Sequence, residues 1–345
     1  MHFEFLVAIF TLLIIILLSR LAHFVGLLDK PNNSTKIHGF PTPVIGGIAI
    51  VCVMFVVLLS SQRPPKLDIL LLCTVGVGIL GALDDLLGLR VSVRIVAQIG
   101  VGLAMALGAG VQIEDLGPIV GHEIAVPNEL QVLLTVCFVA VVMNAVNMSD
   151  GIDGNAAGLV LICLGLIALG QYLFVGEVRK PDWLGSLIVS VMVFWIVNVS
   201  LTPLKKVFLG DAGTLALGFV VSWLCVDFSQ GPGRSIHPAM VGWALLVPLC
   251  DFFSVFIFRL LTGRLPTTGG REHAHHFLAK VFGQNDKKAL IFLLGLASSL
   301  GCFGVILTAY SPAVGYSIFI ATALTWVWCQ VRYGLLQRER TSGTS

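Results

Sequence analysis

Residues 130–154 read LQVLLTVCFVAVVMNAVNMSDGIDG, and this stretch decides the class of fold. Its first part, 130–147, carries no charge and approaches the 20 or so residues that an α-helix needs to cross a bilayer. The pattern of an apolar run that ends in a polar loop recurs along the chain. The predicted spans are roughly 3–20, 43–60, 68–83, 94–111, 130–147, 156–176, 184–201, 207–226, 238–258, 289–308 and 313–331. The sequence therefore predicts an all-α polytopic membrane protein with about eleven transmembrane helices, in one integral membrane domain over residues 1–345.

Composition supports this prediction and excludes several classes of protein. The 345 residues are 57% hydrophobic and 12% charged, with a mean hydropathy of +0.95, whereas soluble domains have about 25% charged residues. A cytosolic enzyme and a disordered chain are thereby excluded, and membrane lipids are expected partners. A net charge of +2 without a block of like charges gives no basis for a nucleic-acid partner. The eight cysteines lie in apolar runs without a CxxC pair, so we expect them to be free.

The distribution of basic residues predicts the orientation. With an odd number of spans, the loops on the side of the C-terminus contain sixteen of the 21 Lys and Arg residues, and the opposite loops contain five. The positive-inside rule then places the C-terminus in the cytoplasm and the N-terminus outside. The loops with unusual polar residues all fall on the cytoplasmic side. These loops are 29–42, 84–94, 144–154, 205–213 and 259–288. One cytoplasmic site assembled from five loops is the resulting prediction.

Acidic residues mark two of these loops. The third span ends in GALDDLLGL, which places Asp84 and Asp85 side by side. Adjacent carboxylates repel unless a cation neutralises them, and Mg²⁺ commonly takes one or two carboxylates together with substrate phosphates. The alternative is a pair of solvated charges at a helix end. In FLGDAGT, Asp211 lies at the start of a span and is either a metal ligand or a partner of the helix dipole.

Four polar side chains follow at intervals of three in NAVNMSDGIDG. They are Asn144, Asn147, Asp150 and Asp153. A helical or 3₁₀ continuation would keep them on one broad face, where two amides and two carboxylates can bind a nucleobase, a ribose or a metal-linked phosphate. A polar helix C-terminus with Asn and Gly caps is the alternative.

The longest cytoplasmic loop, TGRLPTTGGREHAHHFL, combines His273, His275 and His276 with Arg264 and Arg271. Three histidines are compatible with zinc, but neither a cysteine nor an HExxH spacing accompanies them. Imidazole and guanidinium groups together suit a diphosphate, and they can stabilise the charge of a leaving group. We therefore favour an anion site over zinc and over a solvated basic loop that only sets the topology.

Two further residues have two interpretations each. Lys36, in the first cytoplasmic loop, either meets a phosphate or supplies a topogenic charge. Asp251 lies inside the ninth span, where an ionisable residue is costly and is by default a candidate functional residue. It is otherwise a hydrogen-bond acceptor between helices.

In their order along the chain, PTPVIGG, the Asp84–Asp85 pair, NAVNMSDGIDG, FLGDAGT and REHAHH resemble the polyprenyl-phosphate N-acetylhexosamine-1-phosphate transferase family, in particular its WecA-like branch. The related MraY branch usually has three consecutive histidines, a run that Ala274 interrupts here. The family motif is often written DDxxD, and Gly88 stands where its third carboxylate would be.

The resemblance implies a Mg²⁺-dependent enzyme, with Mn²⁺ as an alternative ion, in the inner membrane of a bacterium. It would transfer N-acetylhexosamine 1-phosphate, with GlcNAc favoured, from a UDP-sugar to undecaprenyl phosphate and release UMP. The lipid-linked product would initiate the synthesis of a cell-surface glycan such as O-antigen. The alternatives are another UDP-N-acetyl sugar, an MraY-type donor, or a secondary transporter. A homodimer is left open.

The resemblance also implies roles. Asp85, Asp211 and Asn147 would hold the metal, Asp84 would position the acceptor or remove a proton, and the three histidines would stabilise the departing UMP. The implied substrate-binding residues are Lys36, Asn144, Asn147, Asp150, Asp153, Phe208, Arg264 and Arg271. An acceptor phosphate with a second pKa of about 6 is already largely dianionic, so positioning and charge neutralisation should dominate. A covalent aspartyl-phosphate intermediate is left open.

Overall fold

A computed structural model describes residues 2–29, 41–60, 64–119, 122–179, 181–265, 270 and 272–342. The helices are α1 (His2–Val25), α2 (Gly46–Ser60), α3 (Pro65–Leu87), α4 (Val91–Leu103), α5 (Asn128–Met148), α6 (Asn155–Val175), α7 (Asp182–Asn198), α8 (Gly210–Ser229), α9 (Pro238–Ala244), α10 (Leu246–Leu261), α11 (Ala274–Val281), α12 (Asp286–Tyr310) and α13 (Pro312–Ser342). A π-helical turn, Ala104–Gly108, continues α4. Two antiparallel ribbons pair β1 (Leu28–Asp29) with β2 (Thr42–Pro43) and β3 (Asp115–Ile119) with β4 (His122–Ala125).

The helices confirm an all-α polytopic membrane protein. Among the described residues, eight helices are long and apolar enough to cross a membrane, and α9 with α10 makes a ninth if the bent pair is one span. Two shorter apolar helices, Gly46–Ser60 and Trp183–Asn198, occupy the predicted spans 43–60 and 184–201. The count of eleven crossings stays a prediction. All eight cysteines are free, as expected.

The ninth predicted span, 238–258, is not one straight helix. Its two parts, α9 and α10, meet at an angle of 71°. Pro248 explains the break, because its ring clashes with the carbonyl of the residue four positions earlier, and α9 ends at that residue, Ala244.

The chain folds as two compact units. Unit 1 comprises residues 1–112, 135–161 and 179–224, and unit 2 comprises 113–134, 162–178 and 225–345. In unit 1, α1, α2, α3 and α7 pack against one another. In unit 2, α12 and α13 pack with α9, α10 and α11. The single domain over 1–345 stays a prediction.

The first turn of α8 makes unusually close contacts in unit 1. A Cβ atom built on Gly47 of α2 would lie 2.0 Å from the backbone N of Gly213, and one built on Gly81 of α3 would lie 2.4 Å from the backbone N of Ala212. Real Cβ atoms do not approach backbone this closely, so the glycines permit the contact. Phe208, two residues before α8, donates its backbone N–H to Pro43 O at 2.8 Å. These contacts fix the start of α8 beside the end of α3.

Candidate active site

The ends of α3 and α8 bring together the carboxylate cluster, defined as Asp84, Asp85 and Asp211. Asp85 Oδ1 accepts the backbone N–H of Asp211 at 3.0 Å, and its Oδ2 accepts that of Ala212 at 3.3 Å. The first N–H groups of a helix lack intrahelical partners and carry the positive end of the helix dipole. Asp85 therefore serves as a cap for α8, a role that the sequence analysis considered for Asp211.

One guanidinium bridges the other two carboxylates. Arg94 Nη1 lies 3.1 Å from Asp84 Oδ2 and 3.3 Å from Asp211 Oδ2. Asp84 is buried, and its Oδ1 accepts the backbone N–H of Leu89 at 2.6 Å, just beyond the left-handed Gly88 that ends α3. Three carboxylates with this one guanidinium leave an excess of negative charge. Asp211 supplies from α8 the third carboxylate that the loop after Asp85 lacks.

One amide of α5 contacts this cluster, and a second amide, one turn earlier, contacts α4. Asn147 Nδ2 donates to Asp211 Oδ1 at 2.5 Å and to Thr214 Oγ1 at 2.8 Å. Asn144 Nδ2 donates to the buried Gln98 Oε1 at 2.8 Å. Because α5 ends at Met148, the helical continuation through Asp153 is wrong; residues 149–154 form turns instead.

The turn carries the remaining two acids. Asp150 is exposed to solvent on one side. Desolvation by the protein around it, followed by the negative charges of Asp211, Asp153 and Asp85, raises its pKa to about 7. Asp153 forms an exposed ion pair with Lys206, at 2.7 Å. The Lys206 ammonium also lies 4.6 Å from the ring centroid of Phe208.

The carboxylate cluster suits the open kind of site that Mg²⁺ uses, which is not a closed cage of protein ligands. Among the described residues, no three His, Cys, Asp or Glu side chains form a preformed metal site. Mg²⁺ does not require one, because it takes one or two carboxylates and completes its octahedron with water and substrate phosphates. Asp84 Oδ2 is buried without a hydrogen-bond partner, although Arg94 lies near it. The excess of negative charge of the three carboxylates over the one guanidinium suits a small divalent cation.

Unit 2 holds the histidine cluster, defined as His273, His275 and His276. His273 Nδ1 lies 2.8 Å from Asp251 Oδ2, and both side chains are buried. The ring of His273 stacks on that of His275 with centroids 5.3 Å apart, and His276 lies 4.3 Å from His275. Asp251 is therefore a hydrogen-bond acceptor, which was one of its two interpretations. Its partner His273 belongs to the predicted functional site, so the contact also agrees with the other interpretation.

His275 differs from its neighbours because it is almost inaccessible. Its side chain is 1% exposed and its Nε2 has no hydrogen-bond partner. Burial lowers its pKa to about 3; the charge of Asp251 opposes this shift, and the charges of His276 and His273 add to it. A neutral, buried imidazole supplies no positive charge to a diphosphate. The burial of His275 does not favour direct phosphate contact, which stays a prediction for His273 and His276.

Replacing His275 with leucine is expected to reduce the loss of stability that acid causes. The imidazole is unprotonated in the fold down to about pH 3, whereas the unfolded chain binds its proton near pH 6.5. Its contribution is therefore complete above pH 6.5 and declines below it, by about 2 kcal/mol at pH 5. Chemical unfolding in detergent at pH 7.5 and pH 5 measures the difference between wild type and variant. The exposed His122, changed to leucine, is the control; equal acid sensitivity in wild type and His275→Leu would contradict the assignment.

The basic residues of the same loop are only partly described. Arg264 Nη1 lies 2.8 Å from Glu272 Oε1, and the buried Arg259 lies 3.4 Å from Glu272 Oε2. Lys36 and Arg271 lie outside the described residues. That the carboxylate and histidine clusters act as one site stays a prediction.

Sequence reasoning missed several supporting residues, including Arg94, Gln98 and Thr214. Only a three-residue connection, 88–90, separates α3 from α4, so a residue in the first turn of α4 returns to the level of Asp84. That spacing was a usable signal for Arg94. The partners of Asn144 and Asn147 lie 46 and 67 positions away and had no such signal.

Acids at the ends of apolar helices, rather than at their midpoints, suit an enzyme that works on a charged group at the membrane surface.

Comparison with known proteins supports that class of enzyme. A family model described as glycosyl transferase family 4 matches residues 67–229. A Yersinia pestis protein named undecaprenyl-phosphate alpha-N-acetylglucosaminyl 1-phosphate transferase is 30% identical over 93% of this chain and 88% of its own length. Proteins of the same name from Escherichia coli K12 (31% identical; 89% of this chain, 83% of the relative) and Haemophilus influenzae (27%; 95% of each) are also similar.

This chain belongs to glycosyl transferase family 4. The matched segment includes all three members of the carboxylate cluster and Asn147. The predicted family and the prediction of a membrane-bound sugar-phosphate transferase are confirmed.

Proposed function

We propose that this protein transfers GlcNAc 1-phosphate from UDP-GlcNAc to undecaprenyl phosphate, forming a lipid-linked sugar diphosphate and UMP. The observation that carries the proposal is the carboxylate cluster where α3 ends and α8 begins, in a chain whose relatives bear the name of that reaction. A long apolar substrate with a phosphate at the interface requires charged residues at helix ends. An undecaprenyl acceptor and a UDP-sugar donor meet there.

The transfer is a displacement at phosphorus. An oxygen of the acceptor phosphate bonds to the phosphorus that bears the sugar, and the bond from that phosphorus to the bridging oxygen of the UMP moiety breaks. The acceptor is largely dianionic at neutral pH, so little remains for a general base to do. Asp84, which is held by Arg94 and by the Leu89 N–H, suits positioning better than proton removal.

The proposed metal ligands are Asp85 and Asp211, with Asn147 beside them. Mg²⁺, or Mn²⁺ in its place, would neutralise part of the diphosphate charge when bound. Asn147 and Arg94 orient the Asp211 carboxylate from two sides. Their contribution is to hold this carboxylate in place before the substrates arrive.

The remaining predicted residues divide by chemistry. For the diphosphate we propose the cationic and imidazole groups of His273, His276, Arg264, Arg271 and Lys36. For the nucleoside we propose the polar and aromatic groups near the α5 turn, which are Asn144, Asp150, Asp153 and Phe208. The ammonium of Lys206 over Phe208 and beside Asp153 supports this second group, because it links the two residues into one surface.

An apolar groove of unit 1 supports a place for the acceptor's chain. Residues of α1, α2 and α3 line its volume of about 420 Å³, almost without polar surface. On α3 the lining residues are Val75, Gly78, Ile79 and Ala82, which form one helical stripe. Asp85 follows Ala82 on that stripe, about 4.5 Å farther along the axis. The groove thus leads along α3 towards the carboxylate cluster.

Replacing Ile79 with tryptophan is expected to raise the KM for undecaprenyl phosphate roughly fivefold, since one lost apolar contact is worth about 1 kcal/mol. The KM for the UDP-sugar should not change. Leu72, on the same helix but outside the groove, provides the control variant Leu72→Trp. Steady-state kinetics in mixed micelles measure both constants. Equal KM values for the two variants would contradict the groove assignment.

We place the site on the cytoplasmic face of the inner membrane, with the N-terminus outside. The excess of sixteen basic residues over five supports this orientation. Single-cysteine labelling of residues 88 and 208, expected to be cytoplasmic, and of residue 117, expected to be outside, tests it. The glycan made downstream and a homodimer remain expectations from the sequence.

Product analysis tests the function itself. Purified protein in detergent receives undecaprenyl phosphate, Mg²⁺ and, in separate reactions, UDP-GlcNAc, UDP-GalNAc or UDP-MurNAc-pentapeptide. We expect UMP and undecaprenyl diphosphate-GlcNAc by mass spectrometry from the first donor. Product from another donor alone would correct the sugar, and no product from any donor would refute the proposal. UMP exchange into UDP-GlcNAc without lipid would support the covalent intermediate.

A further inference from the structure

Asp251 of α10 is a buried carboxylate that accepts three hydrogen bonds within unit 2. Its Oδ1 accepts the backbone N–H of Ala274 and the side-chain N–H of Gln330, each at 2.7 Å. Its Oδ2 lies 2.8 Å from His273 Nδ1. Asp251, Gln330 and His273 are 4%, 8% and 7% exposed, so water does not substitute for these partners.

Trp326 fixes the orientation of the Gln330 amide. The indole Nε1–H of Trp326, one turn earlier on α13, donates to Gln330 Oε1 at 2.9 Å. An indole N–H is only a donor, so the oxygen of the amide must face it and the NH₂ group must face Asp251. A flipped amide would place oxygen against oxygen and N–H against N–H.

The chemistry of Asp251 fixes the proton of His273. The Gln330 amide and the Ala274 N–H both donate to Asp251, which acts as an acceptor towards each of them. A carboxyl group is far more acidic than an imidazolium, so Oδ2 is an acceptor as well. The Nδ1 atom of His273 therefore carries the hydrogen that Asp251 Oδ2 accepts, and Nε2 is the nitrogen left for a substrate. Gln330 of α13 thus holds in place the carboxylate that sets the tautomer of His273.

We propose that Gln330 is a positioning residue for His273, acting through Asp251, so that His273 Nε2 faces the donor diphosphate in a fixed orientation. This inference rests on the proposed function, in which His273 contacts that diphosphate. The chain Trp326, Gln330, Asp251 and His273 joins residues up to 79 positions apart, and no loop motif contains it.

The test is a double-mutant cycle. Gln330→Met keeps the length of the side chain and removes its donor, and we expect it to lower kcat about tenfold with KM for both substrates within twofold. In a His273→Gln background the same change should lower kcat less than twofold, because its target is gone. Gln171→Met is the matched control: Gln171 is also buried in unit 2 and donates to Ser235 Oγ at 2.9 Å. Equal losses from Gln330→Met in both backgrounds, or an equal loss from Gln171→Met, would overturn the proposal.

A second measurement does not depend on activity. Diethyl pyrocarbonate modifies unprotonated imidazole, and peptide mass mapping reports its rate at His273. We expect Gln330→Met to increase that rate severalfold in the folded protein and Gln171→Met to leave it unchanged. An unchanged rate at His273 in Gln330→Met would overturn the positioning role even if the enzyme used another donor. Increased modification together with a failed transfer assay would instead refute the proposed function alone.

Discussion

Asp211→Asn is expected to lower turnover about 10³-fold, the largest effect of any single substitution in this protein. The carboxamide is isosteric and can still accept from Asn147 Nδ2, so that hydrogen bond survives, while the ion pair with Arg94 is lost. What disappears is a negative charge beside Asp85 and opposite Arg94. Electrostatic stabilisation by a metal at a transferring phosphoryl group is worth several kcal/mol, and about 4 kcal/mol corresponds to 10³-fold.

Mg²⁺-dependent thermal stability distinguishes this explanation from general damage. At a concentration 100-fold above its dissociation constant, a ligand stabilises the fold by about 2.7 kcal/mol. We expect Mg²⁺ to raise the Tm of the wild type and not that of Asp211→Asn. Asp286→Asn, at the exposed start of α12, should behave as wild type. Wild-type turnover and an unchanged Mg²⁺ effect in Asp211→Asn would show that Asp211 is not a metal ligand.

Gly81→Ala is expected to reduce activity more than 100-fold and to lower stability. Alanine in a helix interior normally stabilises by about 1 kcal/mol relative to glycine. Here the added Cβ would lie 2.4 Å from the backbone C of Asp211 and N of Ala212, and overpacking against backbone costs about 1–3 kcal/mol or more. The clash outweighs the gain in propensity. Because Asp211 is the residue displaced, the chemistry should suffer more than the fold.

Gly76→Ala on the same helix is the matched control for that prediction. A Cβ at position 76 meets nothing within 4 Å, so this variant should be slightly more stable and fully active. Measuring Tm and kcat for both variants separates the effect of the close contact at Gly81 from the general effect of replacing a helical glycine with alanine. Full activity in Gly81→Ala would mean that the start of α8 can shift without cost.

The apolar runs predicted the helices well because length and hydropathy are local properties. The bend in the ninth span lay within reach of the sequence, since Pro248 is a recognised breaker. The lengths of α2 and α7, 15 and 17 residues, are too short for length alone to identify a crossing.

The acids, amides and histidines of the site were also visible, because polar residues beside apolar runs stand out. Their partners were not. Gln98 and Gln330 lie inside apolar helices, and a single buried amide has no periodic signal. Asp251 shows the limit most clearly, since its partners follow it by 22, 23 and 79 positions. Only the packing of α10 against α13 brings the last of them near.

The way in which Asp85 docks α8 affects how mutants at this position should be interpreted. Both of its oxygens already receive main-chain amides, so an asparagine there would turn an N–H towards an N–H and push the helix away. An inactive Asp85→Asn enzyme would therefore report a dislodged helix as much as a lost ligand. Substitution of Asp211 therefore measures the dependence on the metal ion more directly. Substitution of Asp85 measures how strongly the start of α8 is held in place.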